Sequence, residues 1–383
     1  MRDGKSKENE EIEMSNISII EVFMSDRRVG RIALTPEALC GFEYDPDWIQ
    51  TGFSISPFYL PLKSGLLMAK QDPLRGNFGV FDDSLPDGWG NLLLDRYLQE
   101  KEIDPYKLNI LERLSLIGST GRGALEYRPD KSIAADDKFQ DFDHLANEAA
   151  KILESKDSNG SVDLLYKYGG SSGGARPKVF AKIDGREWLV KFKAANDPTN
   201  VGEIEYNYSI LAKECGIRMP ETRLFQGRYF GVERFDRTPQ GKTHTISAAG
   251  LLHANYRIQS LDYSILLKLT LNLTKDMEQV AEMFRLMVFN ILISNRDDHA
   301  KNFSFQWING TWKLSPAYDL LPSSGFNGYH TTTINGKGEP TLIDIITIAS
   351  EAGISKQHAT QILEEVSDKC TRTKMYRFVI EAG

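Results

Sequence analysis

Polar and apolar residues alternate along ISIIEVFMSDRRVGRIALTP (17–36), with a polar break at Ser25 to Arg28. A period of two puts successive side chains on opposite sheet faces, so this stretch predicts a β-hairpin. GFSISPFYLPL (52–62) is apolar but interrupted by prolines, which fits edge strands. In DSLPDGWGNLLLDRYLQEK (83–101) the period lengthens: Leu92, Leu93, Tyr97 and Leu98 share one helical face, Pro86 suits a first turn and Asp87 suits the positive helix end. The polar run RPDKSIAADDKFQ (128–140) breaks both periods and predicts a domain boundary.

Beyond that run, residues 141–161 predict a helix with Leu145, Ala149, Ile152 and Leu153 as its buried stripe. LLYKYGGSSGGARPKVFAKIDGREWLVKFK (164–193) reads as strand, glycine-rich turn, strand, tight turn at Asp184-Gly185, strand. A helix over about 202–215 and a strand pair in TRLFQGRYFGVERFD (222–236) follow, and the remainder is largely helical. One long helix, capped by Thr274, carries Val280, Met283, Phe284, Met287, Val288 and Ile291 as a core stripe. A small β-rich lobe therefore precedes a helical one. No internal repeat is visible.

Composition narrows the class. The chain has 383 residues, 41% hydrophobic, enough to bury a core without staples. Its net charge of −7 offers no basic field for direct nucleic-acid binding. Cys40, Cys215 and Cys370 are scattered and odd in number, which fits free thiols. Eight of the first thirteen residues are charged, so residues 1–16 are expected to form a disordered tail without a signal sequence. LMVFNILI is too short to span a bilayer. The expectation is a soluble, cytoplasmic protein with no membrane partner.

The chemistry begins with ISNRDDHAKNFSF (293–305), where polar groups crowd the end of an apolar helix; a solvated turn, a metal site and a phosphate-handling site all suit it. Asp297 precedes Asn302 by five positions, the spacing with which a kinase catalytic loop orients a hydroxyl and binds magnesium. Asp319, in WKLSPAYDLLPS (312–323), sits among apolar residues and needs a cation. YGGSSGGARPK (168–178) supplies Gly173, Gly174 and Ala175, with backbone amides able to approach phosphate, and leads to Lys178. Lys191 lies in an apolar strand, with Lys193 on the same face as its rival. Glu205 on the following helix can pair with Lys191, and Glu203 is its rival. Kinase-type phosphoryl transfer needs these parts in this chain order.

The motifs SSGGARPK, GVERFDR, NRDDHAKNFSF, SPAYDLLPS and FDDSLPDGWG together resemble the HipA family, bacterial serine/threonine kinases that act as toxins of toxin–antitoxin pairs. The resemblance runs from about residue 17 to the C-terminus. It implies an α+β, divergent protein-kinase-like fold with an N-terminal β-rich subdomain: 17–130 for that subdomain, 140–240 for the small lobe, 241–383 for the helical lobe. It implies Asp297 as catalytic aspartate, Asn302 and Asp319 as magnesium ligands, and Lys191 on the ATP phosphates. Glu233 to Phe235 would be the adenine hinge, and Ser171 or the adjacent Ser172 the site of autophosphorylation. It further implies a helix-turn-helix (HipB-like) antitoxin, operator DNA reached only through that antitoxin, and an aminoacyl-tRNA synthetase as substrate.

Two departures stand out. Asp298 replaces the glycine of better-known members, as a further metal contact or a solvated acid, and HTISAAGLLHANYR (244–257) replaces an acidic, glutamine-rich stretch. GSTGRGA (118–124) imitates a phosphate loop but lacks a suitable Lys and metal acid downstream, so it reads as a tight structural turn. His299 is expected to make a structural hydrogen bond. Two other functions fit: a nucleotide-binding regulatory partner of the antitoxin with little catalysis, or a metal-dependent phosphoesterase using His299 with Asp297 and Asp298.

Overall fold

The computed structural model describes residues 17–133, 141–154, 161–325 and 327–373. The expected tail and part of the 128–140 run lie outside them.

The hairpin forms as predicted: β1 (Ile19–Met24) pairs antiparallel with β2 (Arg27–Leu34). β3 (Cys40–Tyr44), β4 (Leu67–Met68) and β5 (Leu125–Arg128) complete a five-stranded sheet in the order β4-β3-β2-β1-β5. Ile20, Val22, Ile32 and Phe42 are fully buried. Residues 52–62 are not edge strands. They fold back as a loop held by Tyr44 Oη donating to Leu60 O at 2.7 Å, with Ile55 and Leu60 in the core. Chain closure around two buried side chains outweighs strand propensity where prolines remove ladder donors.

β6 (Lys178–Ile183), β7 (Arg186–Lys191), β8 (Thr222–Phe225) and β9 (Tyr229–Glu233) form an antiparallel sheet in the order β6-β7-β9-β8. Asp184 and Gly185, with φ of 52° and 77°, make the tight β6–β7 turn. The segment before the glycine-rich loop corrects the sequence expectation. Val162–Gly169 is a helix, not a strand, burying Val162, Leu165 and Tyr166, and Tyr166 stacks on Tyr97 at 4.4 Å. So short an apolar run has no decisive period, and packing on the helix Gly88–Glu100 settles its form.

Gly88–Glu100, Phe142–Glu154 and Val162–Gly169 share one hydrophobic core with the β6–β9 sheet, through Trp89, Leu93, Phe142, Trp188 and Phe192. Packing thus crosses the polar run at 128–140. A second core joins the first sheet to the helices Tyr263–Thr274 and Met277–Leu292. Thr274 does not cap the later helix; it ends the earlier one, its Oγ donating to Thr270 O, while Asp276 caps by accepting from Glu278 N–H at 2.9 Å. Helices Leu342–Glu351 and Lys356–Arg372 close the far side. Among the described residues, no helix is long and apolar enough to cross a membrane.

Candidate active site

Strand register places Lys178 directly opposite Lys191. Lys191 is buried at the end of β7, and its Nζ lies 2.5 Å from Glu205 Oε1 and 2.6 Å from Asp319 Oδ1. Glu205 stands on the helix Val201–Glu214, while the rivals Lys193 and Glu203 are exposed. Burial opposes the charge on Lys191, but Asp319 and Glu205 outweigh it and raise its pKa. Lys191 in turn holds Asp319 well below the usual carboxylate range.

Lys178 fares differently. Burial first, then the neighbouring Lys191, pushes it from 10.5 down to about 8, and its Nζ donates to Gly173 O at 2.5 Å. Below about pH 8 the folded chain therefore carries a disfavoured ammonium. Between 8 and 10.5 the unfolded state binds more protons, so stability rises with pH across that window. Lys178→Met is expected to be more stable than wild type at pH 7, by about 1 kcal/mol or more, with a smaller advantage at pH 10. Thermal scans at both pH values check this; a lower melting point for Lys178→Met at pH 7 would contradict it.

The helix Met277–Leu292 delivers the second group of residues. After it Asn295 Nδ2 donates to Asn290 Oδ1 and to Asp319 O, at 3.0 and 3.2 Å, joining the Asp297 loop to the Asp319 segment. Asp297 is solvent-accessible at the cleft, and its partial enclosure pushes its carboxyl above the ordinary value. Asn302 Nδ2 donates to Asp297 O at 2.8 Å, leaving its amide oxygen as the available acceptor. Asp319 adopts φ of 61°, left-handed backbone that a non-glycine residue holds only when its surroundings enforce it.

Asp298 is neither a metal contact nor a solvated acid. It is fully buried, accepting from Tyr263 Oη at 2.9 Å, from the Thr331 and Thr332 backbone N–H groups at 2.9 and 3.2 Å, and pairing with His330 Nδ1 at 2.8 Å. His299 differs from expectation too: its Nδ1 is buried without a hydrogen-bond partner among the described residues, and its ring lines the cleft. Tyr256, from the departing 244–257 stretch, packs 5.6 Å from that ring.

The glycine-rich segment is built on contacts that sequence reasoning missed. Gly174 N–H donates to Asp87 Oδ1 and is therefore not a free phosphate donor, while Lys301 Nζ meets Asp87 Oδ2 at 2.9 Å. Asp87 occupies a helix N-cap position but makes no capping bond. Gly173 and Ala175 are exposed at the loop. Ser171 Oγ donates to Thr120 O at 3.1 Å; Ser172 is buried with its Oγ on Gly169 O at 2.6 Å.

GSTGRGA also proves more than a turn. Arg122 reaches the cleft, donating to Tyr318 Oη at 2.8 Å and Ser304 Oγ at 2.5 Å. Gly123 N–H donates to Asp236 Oδ2 at 2.7 Å, and Arg234 and Arg237 pair with the same carboxylate at 2.9 Å. The Glu233–Phe235 segment lines the cavity and is pinned from outside: Arg234 N–H donates to Glu187 O and Gln306 Nε2 to Phe235 O. The signal for Asp87 was its place between small residues in LPDGWG; Arg122, inside GRG, had none beyond its charge.

The cavity is lined by apolar side chains, among them Phe180, Leu189, Met219, Phe230, Val232 and Leu320, and by charged ones, among them the Lys178, Lys191 and Asp319 cluster. This suits a flat apolar ring joined to an anionic chain. Gly174 has φ of 81°, a left-handed conformation that favours glycine, and a Cβ there would fall 2.6 Å from Lys178 Nζ. Asn302 and Asp319 supply the oxygen donors that magnesium prefers, and the residues present fit both groups.

A two-lobed α+β fold with a lysine–glutamate pair, a glycine-rich loop and a polar constellation at the lobe junction is of the protein-kinase kind. The family model described as "HipA-like C-terminal domain" matches residues 170–374, and that described as "HipA N-terminal domain" matches 20–128. The chain belongs to the HipA family. A Sinorhizobium fredii protein named "Putative kinase Y4dM" is 27% identical over 298 residues, 70% of this chain and 71% of that protein. A Haemophilus influenzae protein named "Putative kinase" is 28% identical over 190 residues, 44% of this chain and 53% of that one. A chain of the Shewanella oneidensis toxin–antitoxin complex of HipA, HipB and operator DNA shares the fold, with TM-score 0.67 and 19% identity over 94% of this chain and 92% of that one.

Proposed function

We propose that this protein is an ATP- and magnesium-dependent serine/threonine protein kinase and the toxin of a toxin–antitoxin pair. The observation that carries the reading is the convergence of residues remote in sequence: Lys191 touches both Glu205 and Asp319, and Asp297, Asn302 and Asp319 line one cavity. ATP bound with magnesium would supply the transferable phosphoryl group. Asn302 and Asp319 would hold the metal, Lys191 and Lys178 the phosphates, and the backbone of Glu233 to Phe235 the adenine.

Asp297 would accept a hydrogen bond from the acceptor hydroxyl and take its proton as the new P–O bond forms and the bond from the γ-phosphorus to the bridging oxygen breaks, with ADP leaving. Its raised carboxyl pKa suits that proton. Lys191 is pre-paired on both sides, so its charge is held in place before nucleotide arrives. Most of the acceleration would come from such positioning. Transfer of labelled γ-phosphate from Mg-ATP to the chain itself or to lysate proteins tests the reading; its absence under all metal conditions would overturn it.

The Shewanella complex supports a HipB-like antitoxin as partner, with operator DNA engaged through it, consistent with the acidic net charge of this chain; that the antitoxin is of the helix-turn-helix kind rests on the family resemblance. An aminoacyl-tRNA synthetase as substrate rests on the family resemblance. Phosphoproteomics after induced expression, with Asp297→Asn as control, would identify the target. The phosphoesterase alternative has less support: among the described residues no group of three or more His, Cys, Asp or Glu is arranged to hold a metal.

Ser171 is the expected autophosphorylation site, since Ser172 is buried. Phosphate there adds about −1.5 to −2 charge to a cavity already lined by Asp87, Glu205 and Asp319. Mass spectrometry after incubation with Mg-ATP should find phosphate on Ser171; none on either serine would refute this regulation.

A further inference from the structure

The glycine-rich loop is held by its own residues, through Ser172 to Gly169 O and Lys178 Nζ to Gly173 O, and by a segment remote in sequence. A loop between two strands would be braced by its own sheet, but residues 170–177 join a helix to β6, so no partner strand precedes them. The remote segment is Asp87 to Gly90. Trp89 N–H donates to Gly174 O at 2.8 Å and Trp89 Nε1 to Lys178 O at 3.1 Å. A Cβ on Gly88 would sit 2.5 Å from Gly174 O, and one on Gly90 would strike Ser172 O, so both glycines let two backbones lie in contact. Asp87 is buried and closes the arrangement, accepting from Gly174 N–H and from Lys301 Nζ. Lys301 belongs to the loop carrying Asp297 and Asn302.

We propose that Asp87 is a positioning residue for the nucleotide site, locking the glycine-rich loop to the catalytic loop through Gly174 and Lys301. The N-terminal half of the chain then builds part of the kinase cleft in cis. This rests on the proposed Mg-ATP reading only for its consequence; the lock itself is a property of the free chain. Burial opposes the Asp87 charge, but Lys301 and the Gly174 N–H outweigh it and the carboxyl stays ionised near neutrality. A hydrogen bond to a charged group is worth about tenfold or more in an equilibrium.

The full-length chain and its Asp87→Ala and Asp87→Asn variants decide this by two measurements. Hydrogen exchange without nucleotide should be at least about tenfold faster in peptides covering 170–177 of Asp87→Ala, with 142–154 unchanged. Calorimetric titration with Mg-ATP should show affinity weakened about tenfold or more in Asp87→Ala. Where transfer is measurable, that loss should fall on KM with kcat nearly unchanged. Asp87→Asn, which keeps an acceptor for Gly174 but loses the charge, should lie between, and it serves alone if Asp87→Ala does not fold. Wild-type exchange rates over 170–177 in both variants would overturn the lock, whatever the titration shows. If wild type itself fails to bind Mg-ATP while the exchange difference persists, the kinase reading fails and the lock stands.

Discussion

Asp297→Asn is expected to lose phosphoryl transfer by about a thousandfold or more while binding Mg-ATP within a few-fold of wild type. The amide keeps the shape of the side chain but cannot take the hydroxyl proton. Lys191, Glu205 and Asp319, which do not contact Asp297 by hydrogen bond, stay paired. Folding should not suffer. A carboxyl whose folded pKa is raised costs stability once it ionises, above its unfolded value, so neutralising it leaves the melting point unchanged or slightly higher. Single-turnover transfer with labelled Mg-ATP and calorimetric titration check the two halves. Retained transfer would remove Asp297 from the mechanism.

The adjacent acid should behave in the opposite way. Asp298→Ala is expected to destabilise the protein by about 3 kcal/mol or more, because it leaves buried partners unsatisfied. Those partners are Tyr263 Oη, the Thr331 and Thr332 N–H groups and His330 Nδ1. Asn290 extends the network, donating to Tyr263 Oη at 3.1 Å and accepting from Asn295, the residue that touches Asp319 O. Denaturant unfolding at pH 7 measures the loss. An Asp298→Ala variant as stable as wild type would show that the network is replaceable by water. Neighbouring carboxylates thus differ in setting: Asp297 faces the cleft, where we propose that it takes the hydroxyl proton, and Asp298 faces the core and anchors the loop.

Much of this was legible in the chain. The period-two hairpin, the Asp184-Gly185 turn and the long apolar helix before Asp297 follow from local pattern, and all appear. The preference for Lys191 over Lys193 and for Glu205 over Glu203 followed from apolar setting and position in the helix, and burial separates each pair. Local pattern failed where non-local packing decides. Residues 162–169 become helical because Tyr166 has Tyr97 to stack on, and residues 52–62 loop because Tyr44 and the core capture them. Asp298 read as a solvated or metal-bound acid because His330 and Tyr263, its partners, lie more than thirty residues away.

The order of the chemical groups along the chain, and hence the class of chemistry, belonged to the sequence: glycine run, strand lysine, helix glutamate, paired Asp and Asn, then a lone Asp. Their meaning as one site did not. Asp87 and Arg122 enter the cleft only because the N-terminal segment, residues 20–128, packs against the kinase-like lobes. A linear pattern records which groups repeat at the period of a helix or strand. Which distant carboxylate meets which ammonium is set by burial, since a charge removed from water must find its partner in three dimensions.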